Sequence, residues 1–250
     1  MHRITVYVFI DTIRIIADVP LFWVFYFLYF QKEGSGGVKA AGINAVLFVT
    51  FGFLHSVLAR NFSKQLIEKV VGAELVRIVH VVVSAISLSV VLFLWSPISG
   101  VVWRTQGVLY WVLTLFYLAC IGGLIYTTRF IDYLEFLGLR TFLRKMKGKP
   151  TKPPVFSAKG PYAYCRHPMY LFLIGAFWLA PEMTYGRFEF AFLGTLYLII
   201  GTYFEERNLR EELSEIYERY RANVPMWIPR LTPWKYESNE SKNIIESVTN

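Results

Sequence analysis

Long apolar runs without a formal charge alternate with polar segments along most of the chain. Three such runs, at residues 40–58, 78–95 and 107–128, contain no Asp, Glu, Lys or Arg. A helix needs about 20 predominantly apolar residues to cross the hydrocarbon core of a bilayer. The three runs therefore predict three transmembrane helices, and the first two carry His55 and His80 within the predicted span.

Two shorter apolar stretches follow, 14 residues at 168–181 and 15 residues at 190–204. The residues between them, 182–187, are more polar and predict a turn. Pro168 suits the first turn of a helix, because its missing N–H would have no partner there. Each stretch is short for an independent span, and together they predict a tight helical hairpin.

The first apolar segment, residues 4–30, differs from the others because it contains three charges. Asp11, Arg14 and Asp18 are spaced so that they share one face of a helix. Two interpretations stay open. The charges belong either to an interfacial stretch that leads into a short span from Val19, or to an intramembrane ion-pair stripe that faces other helices.

The basic residues are distributed unevenly among the connecting segments. Nine Lys and Arg fall in 129–166 and seven follow residue 204, whereas 96–106 and 182–187 hold one each. Cytoplasmic loops of membrane proteins are enriched in Lys and Arg. The asymmetry predicts a multi-pass integral membrane protein of six spans, with both termini in the cytoplasm.

Residues 205–221 have the pattern of a separate amphipathic helix on the cytoplasmic side. Its apolar face has helical spacing and consists of Leu209, Leu213, Ile216, Tyr217 and Tyr220. Glu206 and Arg210 are placed to form an i,i+4 pair, and Pro225 prevents continuation of the helix. The residues after 235 are polar and predict a disordered tail. The predicted fold is an all-α integral membrane protein of about six transmembrane helices, the last two a short hairpin, plus this C-terminal helix.

Composition supports a membrane protein and excludes other classes. Hydrophobic residues make up 55% of the 250 residues and charged residues 18%, with a mean hydropathy of +0.41. Soluble domains carry about 25% charged residues. So much apolar surface excludes an intrinsically disordered chain, and two cysteines give no disulfide framework. In a membrane protein the net charge of +8 indicates attraction to anionic lipid headgroups rather than to nucleic acid.

The polar residues suited to catalysis or ligand binding lie at one end of the predicted hairpin. Arg166 and His167 precede its first helix, and Glu205 and Glu206 follow its second. Singly, an Arg at an interface often only snorkels to phosphates, and a Glu often only stabilises a helix start. Their convergence from two chain regions predicts a pocket of Arg, His, carboxylates and Tyr rings. No Cys/His spacing typical of zinc sites is present.

The stretch 160–170, Gly-Pro-Tyr-Ala-Tyr-Cys-Arg-His-Pro-Met-Tyr, resembles the Arg-His-Pro-x-Tyr signature of membrane methyltransferases. That superfamily includes the isoprenylcysteine carboxyl methyltransferases and the phospholipid methyltransferases. The second half of its signature is matched here by Glu205, Glu206, Leu209, Tyr217, Tyr220, Val224 and Pro225. Both halves occur in order and are separated by one hairpin, which makes the resemblance specific.

Further segments resemble the bacterial methanethiol S-methyltransferases and the related NnrU family. These are Phe-Gly-Phe-Leu-His-Ser-Val-Leu-Ala-Arg at 51–60 and shorter matches at 94–97, 102–103, 136–140 and 180–184. The resemblance spans 43–231, interpreted as a membrane methyltransferase-like domain. An N-terminal transmembrane helix and loop, 1–42, precedes this domain, and a polar tail, 232–250, follows it.

Two positions depart from the superfamily pattern. Ser214 stands where a Gly usually precedes the Tyr-x-x-Tyr pair, and Asn223 stands where the prenylcysteine enzymes commonly have a basic residue. The second departure argues against a carboxylate-methylating subtype.

The resemblance implies S-adenosylmethionine (SAM) as cofactor and a small or lipophilic thiol as methyl acceptor. Methanethiol, converted to dimethyl sulfide at the cytoplasmic membrane face, is the leading interpretation. The implied SAM-binding residues are Tyr164, Arg166, His167, Tyr170, Glu205, Glu206, Tyr217 and Tyr220. Arg166, His167 and Glu206 are the implied catalytic residues, and His55 and Arg60 line the implied substrate path. The expected partners are the thiol and membrane lipids, without metal or nucleic acid, and the oligomeric state stays open.

These residue types suit the chemistry of SAM. The Arg166 guanidinium can bind a carboxylate through two parallel hydrogen bonds. Glu205 or Glu206 suits the ammonium group or the ribose hydroxyls, and Tyr rings stabilise a sulfonium by cation–π contact. His167 and Arg166 are candidates to help deprotonate the thiol, whereas Cys165 is expected to be a bystander.

Two other functions stay open at this point. One is a haem-binding isomerase of the NnrU type, with His55 and His80 as axial ligands. The other is a non-catalytic membrane component, such as an assembly partner or a transporter. Transporters commonly contain internal repeats, and the chain shows none.

Overall fold

The computed structural model describes residues 3–150 and 156–235, and these residues form an almost entirely helical bundle. The helices are α1 (Arg3–Phe30), α2 (Val38–Leu58), α3 (Asn61–Val71), α4 (Ala73–Leu94), α5 (Gly107–Thr128), α6 (Tyr133–Phe136), α7 (Leu139–Met146), α8 (Pro168–Trp178) and α9 (Tyr185–Asn223). Two short strands are β1 (Val101–Arg104) and β2 (Glu182–Thr184), and a 3₁₀ turn covers Gly160–Ala163. The predicted disordered tail after residue 235 lies outside the described residues.

Within the described residues, four helices are long and apolar enough to cross a membrane, namely α2, α4, α5 and α9. This confirms the three charge-free spans and the all-α membrane class. The other two predicted spans differ. α1 has 28 residues but carries charges, and α8 has only 11 apolar residues, about 16 Å of helix. The number of six spans therefore stays a prediction.

The core lies where α1, α2, α4, α8 and α9 meet. Its buried members are Val24, Leu28, Phe48, Val91, Leu92, Trp95, Phe177, Phe190 and Ala191. The outward faces remain strongly apolar, as shown by Phe53, Phe93 and Trp111, which are each about 70% exposed or more. Water-exposed surfaces rarely carry apolar patches this extensive, so these faces suit contact with lipid tails.

The two strands form a small antiparallel sheet at one end of the bundle, here called the sheet end. Val101 pairs with Thr184, and Arg104 pairs with Glu182. The prediction of a turn at 182–187 is therefore wrong, because β2 occupies 182–184 and α9 already begins at Tyr185. The hydroxyl of Thr184 caps that helix by accepting from the backbone N–H of Arg187 at 3.2 Å.

The predicted hairpin also differs in its first arm. α8 ends at Trp178 rather than at 181, because Pro181 disfavours helical backbone at the preceding residue. The chain then continues through Leu179, whose backbone is not extended (φ −92°, ψ 18°), and forms a strand only at Glu182–Thr184. Backbone groups at membrane depth need internal partners. The carbonyls of Ala180 and Pro181 accept from the Trp103 Nε1–H at 3.2 Å and the Thr105 backbone N–H at 3.0 Å.

The last helix is longer than predicted. Residues 205–221 do not form a separate helix, since α9 runs on without interruption from Tyr185 past Phe204. No Gly or Pro lies between 204 and 213 to end it. The break comes at Ser214, whose backbone has φ 45° and ψ −122°. Arg210 consequently pairs across the break with Glu218, N···O 2.5 Å, and not with Glu206.

The charges of α1 do not form one continuous stripe. Arg14 pairs with Asp11 at 3.5 Å, and both side chains are about half-exposed or more. Asp18 instead accepts a hydrogen bond from the Tyr133 hydroxyl of α6. The first pair therefore lies on the outside of the bundle, while Asp18 ties α1 to the segment after α5.

We expect Ser214→Gly to stabilise the protein. A residue with a side chain in this backbone region costs about 1–3 kcal/mol, whereas Gly adopts it without steric strain. The larger backbone freedom of Gly in the unfolded chain offsets part of that gain, so an increase of about 1 kcal/mol or less is expected. Thermal unfolding in detergent measures it. Glu215→Gly, at an ordinary helical position, is the control and should lower Tm; equal losses in both variants would contradict the strain argument.

Candidate active site

A buried ion pair joins the start of α8 to the middle of α9. The Arg166 Nε–H donates to Oε1 of Glu206 at 2.8 Å, and Nη2 donates to Oε2 at 3.1 Å. Both side chains are 7% exposed. This fork geometry is the strongest form of ion pair in proteins, and it fixes the two halves of the sequence signature against each other.

The remaining donors of Arg166 hold the chain that follows α9. Its Nη1 donates to the carbonyl of Arg221 at 3.1 Å and to that of Val224 at 2.8 Å. A guanidinium has five N–H groups, and four of them are used in these contacts. Among the residues that the structure describes, nothing accepts from the fifth N–H, which leaves it for a ligand. The sequence prediction treated the whole fork as available to a carboxylate, which this geometry does not support.

Glu206 is the centre of a hydrogen-bond network. Its Oε1 also accepts from Nε2 of His167 and from the hydroxyl of Tyr217, each at 2.7 Å. Its Oε2 lies 3.8 Å from Nε of Arg221. A buried carboxylate needs such partners to remain charged. Four predicted site residues, Arg166, His167, Glu206 and Tyr217, are therefore in direct contact.

Cys165 is held by the same segment as its neighbours. Its sulfur donates to the carbonyls of Met226 and Trp227 at 3.1 and 3.3 Å, and the residue is 1% exposed. Burial raises the pKa of the Cys165 thiol. A neutral, enclosed thiol is a poor nucleophile, which fits its predicted role as a bystander.

Glu205 forms the accessible rim of the network. Its Oε2 accepts from the hydroxyl of Tyr170 at 2.8 Å and lies 3.8 Å from Nδ1 of His167. The rings of His167 and Tyr170 are parallel, with centroids 5.6 Å apart. The Glu205 side chain is 43% exposed. Its carboxylate therefore keeps lone pairs that can accept hydrogen bonds from a ligand, next to the rings of His167 and Tyr170.

The other predicted tyrosines differ in how far they are exposed. Tyr220 is buried against Ala158, Tyr217 and Val224, and its hydroxyl donates to the carbonyl of Tyr162 at 2.7 Å. Tyr164 is 36% exposed, and its carbonyl accepts from the backbone N–H of Arg230. Tyr217 and Tyr220 are therefore enclosed within the protein, whereas about a third of the Tyr164 residue is exposed.

A second polar cluster lies between α2, α4 and α9. Nδ1 of His55 is 2.7 Å from the hydroxyl of Tyr197, and the rings of His55 and His80 are 4.7 Å apart between centroids. The guanidinium of Arg60 lies over the ring of Phe204, 4.4 Å from its centroid. His55 and Arg60, the two residues of the predicted substrate path, therefore both contact α9, at Tyr197 and at Phe204.

Arg77 of α4 was not predicted from the sequence. Its Nε–H donates to the carbonyl of Phe136 at 2.9 Å, and its guanidinium lies 5.3 Å from the centroid of that ring. Its charge is near enough to act electrostatically on Glu205 and Tyr170 and on His55 and His80. Arg77 and His80 are three residues apart, which places them on one face of α4. That spacing was a usable signal. Tyr197 gave none, since one Tyr within an apolar run is ordinary in a membrane helix.

Comparison with known proteins gives relatives over most of the chain. Methanethiol S-methyltransferase of Pseudomonas deceptionensis is 37% identical over 202 residues, covering 79% of this chain and 76% of the relative. The protein of the same name in Mycobacterium tuberculosis is 32% identical over 195 residues, covering 76% and 79%. The chain belongs to the methanethiol S-methyltransferase family. This membership confirms the family resemblance predicted from the motifs.

More distant similarity extends beyond the methanethiol S-methyltransferase family. Nurim of Danio rerio is 26% identical over 172 residues, covering 65% of this chain and 62% of the relative. This relationship fits the wider isoprenylcysteine carboxyl methyltransferase-like superfamily. No family profile and no solved structure matches the chain.

The geometry of the two histidines does not suit a haem. Two imidazoles that bind one iron stand on opposite faces of the porphyrin, each nitrogen about 2 Å from the metal, so their ring centroids are more than about 6 Å apart. The rings of His55 and His80 are 4.7 Å apart with 55° between their planes. Tyr197 also occupies Nδ1 of His55. The isomerase interpretation therefore has no support from this pair.

The two adjacent carboxylates should respond differently to neutralisation. We expect Glu206→Gln to destabilise the protein by about 3–5 kcal/mol, because it leaves Arg166 charged, buried and without its partner. Glu205→Gln should change stability little, since that side chain is half-exposed. Thermal unfolding of both variants in detergent measures the difference. A similar small effect in both would show that the Arg166–Glu206 pair does not hold the site together.

Proposed function

We propose that the protein transfers a methyl group from SAM to a small thiol at this site, with methanethiol as the acceptor and dimethyl sulfide as the product. The relatives named methanethiol S-methyltransferase support the reaction class. The observation that carries the proposal is the accessible Glu205 carboxylate, set beside two aromatic rings and backed by a buried, charged network.

The residues present fit the groups that SAM carries. The open lone pairs of Glu205 suit its ammonium group or its ribose hydroxyls. The faces of Tyr164 and Tyr170 suit a sulfonium or an adenine, by cation–π contact and stacking. The one remaining N–H of Arg166, together with Arg77, suits a carboxylate. This assigns Arg166 and Glu206 mainly to positioning, because most of their hydrogen-bonding capacity is used within the protein.

SAM supplies a methyl group on a positively charged sulfur. The chain supplies alignment and a dry environment. The stacked His167 is held by Glu206 and so has a fixed orientation, and reactive groups held in line gain several kcal/mol over free ones. A charge-cancelling step between thiolate and sulfonium is favoured where water is excluded, as the apolar walls of α2, α4 and α9 provide.

The proposed location is a membrane, with the site and both termini on the cytoplasmic side. Basic residues are concentrated in 129–166 and after 204, and the described parts of both segments lie at the end of the bundle opposite the sheet end. That end also contains α3, α6 and α7, and is here called the α3 end. A cytoplasmic α3 end gives the site access to SAM, which is made and used in the cytoplasm.

Cysteine labelling tests this orientation. Ser35→Cys lies in the exposed loop at the sheet end, and Lys147→Cys lies in the exposed segment after α7. An impermeant maleimide should label the first in intact cells and the second only after permeabilisation. The parent protein, with Cys120 and the buried Cys165, gives the background. Labelling of both positions from one side would overturn the proposed topology.

Calorimetric titration tests the donor site. We expect Glu205→Gln to weaken SAM binding about 10- to 100-fold, because hydrogen bonds to a charged group contribute roughly 1.5–3 kcal/mol. Glu211→Gln is the control, since Glu211 lies on α9 but is 69% exposed in a loose pair with Arg207. Unchanged affinity in a folded Glu205→Gln protein would remove Glu205 from the proposed site.

A further inference from the structure

An apolar groove runs between α2 and α4 on the outer surface of the bundle. It has a volume of about 370 Å³. Its lining is almost entirely aliphatic or aromatic and consists of Leu47, Thr50, Phe51, Leu54, Val83, Ile86, Ser87, Val90 and Val91. Both helices are candidate membrane spans, so the groove opens towards the bilayer interior.

Helical spacing places two histidines where the groove ends. His55 lies four residues after Phe51 on α2, and His80 lies three residues before Val83 on α4, so each continues its wall. The Phe51 ring is 6.0 Å from that of His55 and 6.1 Å from that of Tyr197, between centroids. Phe51 therefore lines the groove and also contacts the polar cluster at its end.

One nitrogen in that cluster has no partner. Nε2 of His80 is buried and makes no hydrogen bond with any described residue. An unpaired buried polar atom is costly, which makes it a candidate to meet a substrate. A neutral imidazole nitrogen without a proton is an acceptor. His55 differs, because Tyr197 already occupies its Nδ1.

The cluster lies next to the proposed donor site. His80 is one turn of α4 from Arg77, and Arg77 interacts electrostatically with Glu205 and Tyr170. Along α9, Tyr197, Gly201 and Glu205 follow one another at four-residue spacing and share one face. A Cβ at Gly201 would have no atom within 4 Å. The face between the two clusters is therefore unfilled.

We propose that the methyl acceptor, a small apolar thiol, enters from the bilayer through the α2–α4 groove and gives its proton to Nε2 of His80. This rests on the proposed function. The S–H bond breaks and an N–H bond forms, and the electron pair stays on sulfur. The resulting thiolate attacks the methyl group of the donor, whose sulfonium becomes a neutral thioether. The imidazolium then loses its proton to water at the α3 end.

The Arg77 guanidinium, one turn of α4 from His80, stabilises a thiolate that forms beside it. The same positive charge opposes the imidazolium, so the thiolate must attack the methyl group before the proton returns to it. Alkyl thiols have pKa values above neutral pH, so an unassisted thiol would be mostly protonated in an apolar groove. A positioned base contributes about 10²–10⁴-fold to such a reaction. The bilayer concentrates small apolar thiols, which makes a lipid-facing entrance suitable.

The test compares two thiols in one variant. We expect His80→Gln to lower kcat/KM for methanethiol by about 100-fold or more. For thiophenol, which is already largely ionised at about pH 8, the loss should be less than about threefold, because no base is needed. SAM affinity, measured by calorimetry, should not change. Ser84→Ala is the matched control, since the Ser84 hydroxyl on α4 is also buried and has no hydrogen-bond partner among the described residues, and this variant should behave as the parent protein.

A second variant tests the entrance without touching the cluster. Ser87→Phe narrows the groove and should lower kcat/KM for methanethiol through KM, with SAM affinity unchanged. Phe93→Trp adds bulk on the same helix at a lipid-facing position that does not line the groove, and should have no effect.

The outcomes separate this proposal from the proposed function. Equal losses for both thiols in His80→Gln, with SAM still bound, would overturn the role of His80 as base while methyl transfer stands. Unchanged kinetics in Ser87→Phe would overturn the groove as entrance. A parent protein that binds no SAM and methylates no thiol would overturn the proposed function itself.

Discussion

The buried pair between Arg166 and Glu206 is the contact on which the rest of the site depends. It joins the start of α8 to the middle of α9 and ties both to the chain after α9 through the carbonyls of Arg221 and Val224. Two charges removed from water are stable only when they are paired and fully hydrogen-bonded. The surrounding contacts from His167 and Tyr217 meet that need. As a consequence, the accessible Glu205 is held at a fixed place on the rim.

The membrane imposes a second constraint, on the backbone. α8 is too short to cross a bilayer, and the chain continues beyond it as a non-helical segment that ends in β2. Such a segment is tolerated at membrane depth only when its N–H and C=O groups are satisfied inside the protein. The pairing of β1 with β2 and the contacts from Trp103 and Thr105 provide this. The short α8 brings His167 and Tyr170 to the level of Glu205 and Glu206.

The sequence predicted the spans well, because hydrophobicity alone decides which segments can enter lipid. It also predicted that 166–170 and 205–206 would meet. It did not predict which Glu faces inwards, since consecutive helical residues point about 100° apart and only packing orients α9. The predicted helix start at 205 was wrong for a related reason. The chain becomes polar at 205, where α9 leaves its apolar stretch, but the helix itself continues there. Its break lies at Ser214, where the backbone is not helical.

Tyr197, His80 and Arg77 show the limit of reasoning from local pattern. Each is a polar residue near or within an apolar run. The spacing of Arg77 and His80 places them on one face of α4, but nothing along the chain connects that face with Tyr197. Their relation appears only when α2, α4 and α9 are packed together. By contrast, Arg166, His167, Glu205 and Glu206 are adjacent in pairs, so one hairpin was enough to connect them.

The two polar clusters also answer a physical difficulty of the proposed reaction. A charged, water-soluble donor and a small apolar acceptor prefer different solvents, so a single uniform pocket would bind one of them poorly. Here the charged groups lie at the end of the bundle where α9 leaves its apolar stretch, and the lipid-facing groove ends near His80, one turn of α4 from Arg77. At Gly201, between Tyr197 and Glu205 on α9, a Cβ would have no atom within 4 Å. A site built at this boundary lets each molecule approach from the phase in which it is soluble, and it confines the encounter to a space that apolar helices shield from water.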